Sequence, residues 1–310
     1  MDFSDLIDVK EKINTYELIG CDASLGNLFL LKDRYDIKLN KRNGYILREY
    51  NYSDSIHGYS FPISFMNSNF VLQDYFLFIT ENLQRTDIPL CLFTNKQKTD
   101  FDEFLEKEYP FYKIDWKTNP ADSDYIYLRK NLAELSGQKF QKKRNHILKF
   151  YKMFANVSFT FFNKTNFTKK LYNDFMKVAE EWVQEQITKS DFSEIKIYEK
   201  EKESVEQAIS NISNFDYSGG IVYINGVPGA ITLASKISDS VLDIHYEKCL
   251  QEYAEFGGYS VINNLFVKNN SSFEYINREE DLGIEGLRKS KLSYKPEFIL
   301  EKYYGRLIKN

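Results

Sequence analysis

Apolar and polar residues alternate along this chain in two rhythms, and the rhythm changes often. A period near two marks strands with one buried face, and a period near 3.6 marks helices with one buried stripe. The first region reads as short strands over 27–31, 37–39, 45–50 and 59–65, then a helix over 69–84 and a buried strand over 88–94. A helix over 100–108 stops at Pro110, and strands over 112–116 and 125–128 follow. Asn43-Gly44 is a hairpin signal, because both residues take positive φ at little cost. A long helix over 132–155, interrupted at Gly137, leads into the second region. There the pattern predicts a strand over 157–162, helices over 166–189 and 200–213, and a hairpin of 220–224 with 230–237 across Asn225-Gly226. A strand over 241–247, a helix over 258–269, a strand over 273–276, a helix over 283–291 and a strand over 298–303 complete it. Strands with helices inserted between them predict an α+β fold. We divide the chain into a first half over 1–128, a joining helix over 129–155 and a second half of similar plan over 156–310.

Length and composition agree with two packed cores. A chain of 310 residues suits two domains, and its 25 Phe and 23 Tyr supply the ring area to fill them. The net charge of −4 excludes a generally basic coat for nucleic acid, though not a local patch. Cys21, Cys91 and Cys249 are odd in number and far apart, which fits a reducing compartment. The three histidines are equally scattered, so the sequence indicates no metal site and no tightly bound cofactor. The start is acidic rather than basic and apolar, and no stretch reaches the ~20 apolar residues of a membrane span. A cytoplasmic protein is the expectation; the oligomeric state stays open.

Charge is concentrated in the joining helix. Eight Lys and Arg residues stand against the single acid Glu134 between 129 and 152, in an otherwise acidic chain. Such a segment is either a solvated face or a site for an anionic ligand, such as a nucleotide-bearing cofactor, a tRNA acceptor end or a lipid head group. Phe140, Ile147, Tyr151 and Phe154 recur at helical spacing, and Arg144 falls in that stripe. It is therefore a buried structural partner or a ligand-binding residue of a cleft. Lys142, Lys143 and Asn145 flank it, and His146 points to another face.

A second concentration lies in the strand over 241–247. Strict alternation puts Asp243, His245 and Glu247 on one face, where they are either a general base with its orienting acid or a polar exposed stripe. Gly257-Gly258 precedes a helix and allows backbone N–H groups to approach a phosphate. The segment from Asn277 to Pro296 is dense in charge and glycine, as loops that hold functional groups often are.

Within that segment, Asn277-Arg278-Glu279-Glu280-Asp281-Leu282-Gly283, with Gly286-Leu287-Arg288 and Ser290-Lys291, resembles the signature of the phosphatidylglycerol lysyltransferase C-terminal domain family. Leu132-Ala133-Glu134-Leu135-Ser136-Gly137 with Lys142-Lys143-Arg144-Asn145-His146 resembles it too, as does Gly219-Gly220-Ile221-Val222-Tyr223 with His245-Tyr246-Glu247-Lys248. The resemblance covers about residues 126–307. It implies two tandem GNAT-like domains, related to the Fem-type aminoacyltransferases that move an aminoacyl group from aminoacyl-tRNA to an amine or hydroxyl. The membrane-bound lysyltransferases carry a multi-span region that this sequence does not show. The Gln/Arg-x-x-Gly-x-Gly/Ala loop of acetyl-CoA users is absent after Gln251, where Ala254 and Phe256 occupy the glycine positions.

The leading expectation is thus transfer of an aminoacyl group from aminoacyl-tRNA to a small-molecule, peptide or lipid head-group acceptor. Arg144, Lys142, Lys143, Asn145, Gly257 and Gly258 would hold the donor. Glu247 or His245 would remove the acceptor proton. Asn277, Arg278, Glu279, Glu280, Asp281, Arg288 and Lys291 form the acceptor-side or structural signature. An acyl-CoA-dependent N-acyltransferase and a non-catalytic binding module on the same fold are the alternatives.

Overall fold

The computed structural model describes residues 5–16, 18–52, 56–81, 87–189 and 192–309. The alternating segments assemble into two mixed sheets with helices packed on them, the α+β architecture expected. The first sheet runs Lys38–Arg42, Tyr45–Asn51, His57–Tyr59, Asp87–Phe93, Tyr303–Lys309, Tyr112–Ile114. The second runs Phe298–Leu300, Asp124–Leu128, Tyr275–Asn277, Val241–Cys249, Val227–Lys236, Ser218–Ile224, Val157–Asn163.

Strand exchange corrects the expected boundaries. Asp124–Leu128, assigned from sequence to the first half, pairs with Tyr275–Asn277 and Phe298–Leu300 in the second sheet. The last strand, Tyr303–Lys309, crosses back and lies between Asp87–Phe93 and Tyr112–Ile114 of the first. Residue alternation encodes which face of a strand is buried, not which edge it joins, so the exchange is invisible to it. The strand expected over 298–303 breaks where the chain changes sheets, at Glu301-Lys302.

Two other segments differ. Residues 27–31, expected as a strand, belong to the helix Leu25–Leu31, because Ser24 accepts the Asn27 N–H at 3.2 Å and caps it. This helix lies on the second sheet, where the Tyr217 hydroxyl donates to the Gly26 carbonyl at 2.8 Å. The strand over 59–65 splits into His57–Tyr59 and Ile63–Ser64 around Pro62. The helix expected over 69–84 is Leu72–Glu81, and its expected end at 82–84 lies outside the described residues.

The joining segment breaks at Gly137 as expected. Arg129–Glu134 ends on Leu135 at φ +51° and Gly137 at φ +81°, a 3-10 turn follows, and the helix Gln141–Met153 begins. That turn changes the phase of the buried stripe. Phe140, Lys143 and Phe150 are buried and Ile147 is half-buried, whereas Tyr151 is 46% exposed. Lys143, rather than Arg144, occupies the inward position.

Candidate active site

The strand Val241–Cys249 carries chemistry on both faces, because it is bulged. Leu233 pairs with Tyr246 and Ala234 with Ile244, so His245 is the extra residue. A bulge shifts side-chain alternation by one place. Asp243 and His245 consequently face the first half, while Glu247 turns to the side of the helix Gly258–Asn269. The expected single face of Asp243, His245 and Glu247 is thereby corrected.

On the helix side, Glu247 ion-pairs with Arg278 and accepts the Asn263 amide at 2.7 Å. Lys143 completes the group from the joining helix. Its Nζ stands 3.6 Å from the centre of the Tyr294 ring, and the Arg278 guanidinium stands 4.8 Å from the same ring. Burial lowers the Lys143 pKa, the Arg278 charge lowers it further, and Glu247 opposes, leaving it at about 8. Several polar atoms here lack partners among the described residues: Arg278 Nη1, Asn263 Oδ1 and Thr232 Oγ1 are all buried without one. Thr232 sits opposite Glu247 on the neighbouring strand. Buried polar groups in native proteins are nearly always paired, so three around one carboxylate call for a function.

The signature loop is the scaffold for both faces. The buried Asn277 donates to Asp124 at 2.9 Å and accepts the Glu279 N–H at 2.7 Å. Lys291, buried, points its ammonium at the carbonyls of Arg278, Glu279 and Glu280 and so ties down the turn. Asp281 takes two hydrogen bonds from Arg288, at 2.7 and 3.0 Å, and one from the Tyr125 hydroxyl at 2.6 Å. Burial raises the Asp281 pKa, but the bonds from Arg288, Tyr125 and the Gly283 amide prevail and bring it to about 2. The loop sends Arg278 toward Glu247 and Glu279 toward His245, which it meets at 2.8 Å. Burial, Glu279 and Asp124 push Glu280 up to about 7. Of the seven signature residues, Asn277, Asp281, Arg288 and Lys291 hold the loop and Arg278 and Glu279 reach out of it.

The expected donor residues do not converge as a set. Arg144 is engaged elsewhere: its guanidinium donates to the Leu135 and Gly137 carbonyls at 2.5 and 2.6 Å, closing the end of the preceding helix. Lys142 and Asn145 are exposed on the joining helix. Asn145 lines an open groove of about 470 Å³ with Lys149, Lys152, Leu148, Met153 and Phe256. Gly257 is no phosphate cradle in this conformation, since its N–H is bonded to the Ala254 carbonyl at 3.0 Å. It has φ +105°, and a Cβ on it would lie 2.6 Å from the His146 carbonyl oxygen, so it serves close packing against the joining helix. A Cβ on Gly258 would lie 2.4 Å from Cys249 Sγ. Of the predicted residues, Lys143, Glu247 and Arg278 meet on the helix side of the strand, and His245 and Glu279 meet on its other face. Asn263, Thr232 and Tyr294 were missed; the Asn263-Asn264 pair inside an otherwise apolar helix face was the available signal.

The fold is one of two tandem GNAT-like halves, and the family that the sequence matches is of acyltransferase type. The chain belongs to the phosphatidylglycerol lysyltransferase, C-terminal, family, whose sequence profile matches residues 13–305. A conserved protein of unknown function from Bacteroides thetaiotaomicron is 27% identical, covers 99% of this chain and 98% of its own, and superposes with a TM-score of 0.84. The structure of L-PGS from Bacillus licheniformis shares the fold at 12% identity, with a TM-score of 0.64 over 99% of this chain and 91% of that one. An uncharacterised protein of Mycoplasmoides gallisepticum is 25% identical over 207 residues, which are 66% of this chain and 63% of that protein, so less than two thirds of that relative is spanned. No helix among the described residues is long and apolar enough to cross a membrane.

Proposed function

We propose that this chain transfers an aminoacyl group from aminoacyl-tRNA to an amine or hydroxyl acceptor, with the reaction at the Lys143–Glu247–Arg278 group. The observation that carries the reading is a lysine held at about 8 beside a guanidinium with an unpartnered N–H. A base with a pKa near the working pH is the one best suited to remove a proton and return it. Lys143 in its neutral form takes the proton of the acceptor as the acceptor N or O attacks the ester carbonyl. Arg278 Nη1 donates to the oxyanion that develops. The new C–N or C–O bond forms, the bond to the tRNA ribose oxygen breaks, its electron pair stays on that oxygen, and the Lys143 ammonium supplies the proton. Glu247 and Asn263 hold Arg278 in place. The exposed lysines of the joining helix, Lys142, Lys149 and Lys152, suit the phosphates of the donor.

The test is transfer from a panel of charged tRNAs and from acyl-CoA thioesters. Native protein is expected to use aminoacyl-tRNA, with a rising pH limb near 8. Lys143→Met is expected to lower kcat by roughly 100-fold or more and to remove that limb, with folding retained by circular dichroism. Transfer from acyl-CoA alone would refute the donor. Transfer from neither would establish the binding-module alternative.

A further inference from the structure

We propose that Asp243, His245 and Glu279 form a binding site for one divalent cation of the zinc type, on the face of the bulged strand opposite Glu247. The argument is independent of the transfer reading. One ligand atom from each residue lies within 4.8 Å of the others. Asp243 Oδ2 is 3.6 Å from His245 Nδ1, and Glu279 Oε1 is 2.8 Å from the same nitrogen. Ligands at ~2.0–2.2 Å in a tetrahedron stand ~3.3–3.5 Å apart, so small side-chain movements complete the geometry.

The second observation is Asp243 itself. It is fully buried, and neither carboxylate oxygen has a hydrogen-bond partner among the described residues. A buried carboxylate in that state is expensive unless paired or on a metal. The nearby cations are committed elsewhere. Lys302 pairs with Asp22 and with Asp124, the latter at 3.3 Å; Arg48 pairs with Asp22 at 2.9 Å; and Lys291 is directed at backbone carbonyls. The neighbouring trio Cys21, Asp22 and Asp124 offers no equivalent site, because the Lys302 ammonium already sits between its two carboxylates.

The outer contacts suit a metal-binding imidazole. His245 Nε2 lies 2.8 Å from Ser235 Oγ, which lies 2.8 Å from Ser24 Oγ. Without metal, Nδ1–H donates to Glu279 at 2.8 Å; when zinc displaces that proton, Ser235 can accept the Nε2–H and donate to Ser24, which turns the Nδ1 lone pair to the ion. A hydrogen bond on the far nitrogen is the usual device for orienting a histidine ligand. The Asn27 amide fixes Glu279 Oε1 at 2.8 Å. Imidazole with two carboxylates selects zinc or its transition-metal neighbours over magnesium. Three protein ligands leave the fourth position open to water.

The experiment is calorimetric titration of chelator-treated full-length protein with zinc chloride, with magnesium chloride as the second arm and thermal melting in parallel. Expected are one equivalent of zinc bound, a raised melting temperature, and no magnesium binding. Asp243→Asn and His245→Gln should each weaken zinc binding by roughly 100-fold or more. Asp243→Asn should also abolish the zinc-induced rise in melting temperature while leaving that of the metal-free protein little changed; a merely structural carboxylate would not link its loss to zinc. Absence of zinc binding to the native protein, equal binding of magnesium, or undiminished zinc binding by Asp243→Asn would each overturn the site.

Discussion

Lys143 shows how a single position carries both a cost and a use. Its ammonium is buried beside Arg278, and its proton is therefore held less tightly than in an unfolded chain. Between about 8 and its ordinary 10.5 the unfolded state binds the extra proton, so this group's contribution to stability rises with pH across that window. Below about 8 the full penalty applies. Lys143→Met is expected to stabilise the protein by about 1 kcal/mol at neutral pH, the shift being discounted for solvent screening. It should also flatten the stability profile between pH 8 and 10.5, read by denaturant unfolding at several pH values. An unchanged slope would show that the lysine is ordinary and would remove the basis for its role in proton transfer. The inward direction of Lys143 was not legible beforehand, since it depends on a 3-10 turn that resets the helical phase by a fraction of a turn.

Among the elements, the joining helix and the bulged strand were found in the sequence but not oriented by it. Asn225-Gly226 and Asn43-Gly44 form the expected tight turns, because positive φ is a local property of Asn and Gly; Asn225, Gly226 and Gly44 adopt it, whereas Asn43 does not. The extra residue in the strand Val241–Cys249 has no such local mark; it follows from how Val227–Lys236 pairs with it. The family signature was readable as a motif, whereas its division into loop-holding and reaching residues required coordinates. Arg144 illustrates the difference. Its contacts are to carbonyls at the end of Arg129–Glu134, so Arg144→Ala is expected to cost about 1–3 kcal/mol of stability. Transfer per folded molecule should be unchanged. A variant that melts normally and loses donor affinity would reassign Arg144 to the ligand.

Across the whole molecule, the halves are joined by buried ion pairs as well as by exchanged strands. Lys302 lies at the point where the chain passes from one sheet to the other, fully buried against Asp22 and Asp124. Burial lowers its pKa, but Asp124 and Asp22 prevail and hold it well above the usual range. Removing Lys302 leaves the buried Asp124 charged and unpaired. Lys302→Met is therefore expected to destabilise by about 3–5 kcal/mol, and Asp124→Asn in the same chain should recover part of that loss, since Asp22 keeps Arg48. Additive losses in the double variant, measured by chemical unfolding, would show that the two residues do not act on each other.

The returning strand Tyr303–Lys309 also has a meaning for how the protein is made. Ribosomes deliver the amino end first, yet the gap between Asp87–Phe93 and Tyr112–Ile114 is filled by a strand translated long after both. Until that strand emerges, the apolar strand Asp87–Phe93 keeps one hydrogen-bonding edge bare, the kind of edge on which nascent chains associate wrongly. Completion of the first sheet thus waits for the strand Tyr303–Lys309, and chaperone demand should depend on how soon that strand leaves the ribosome.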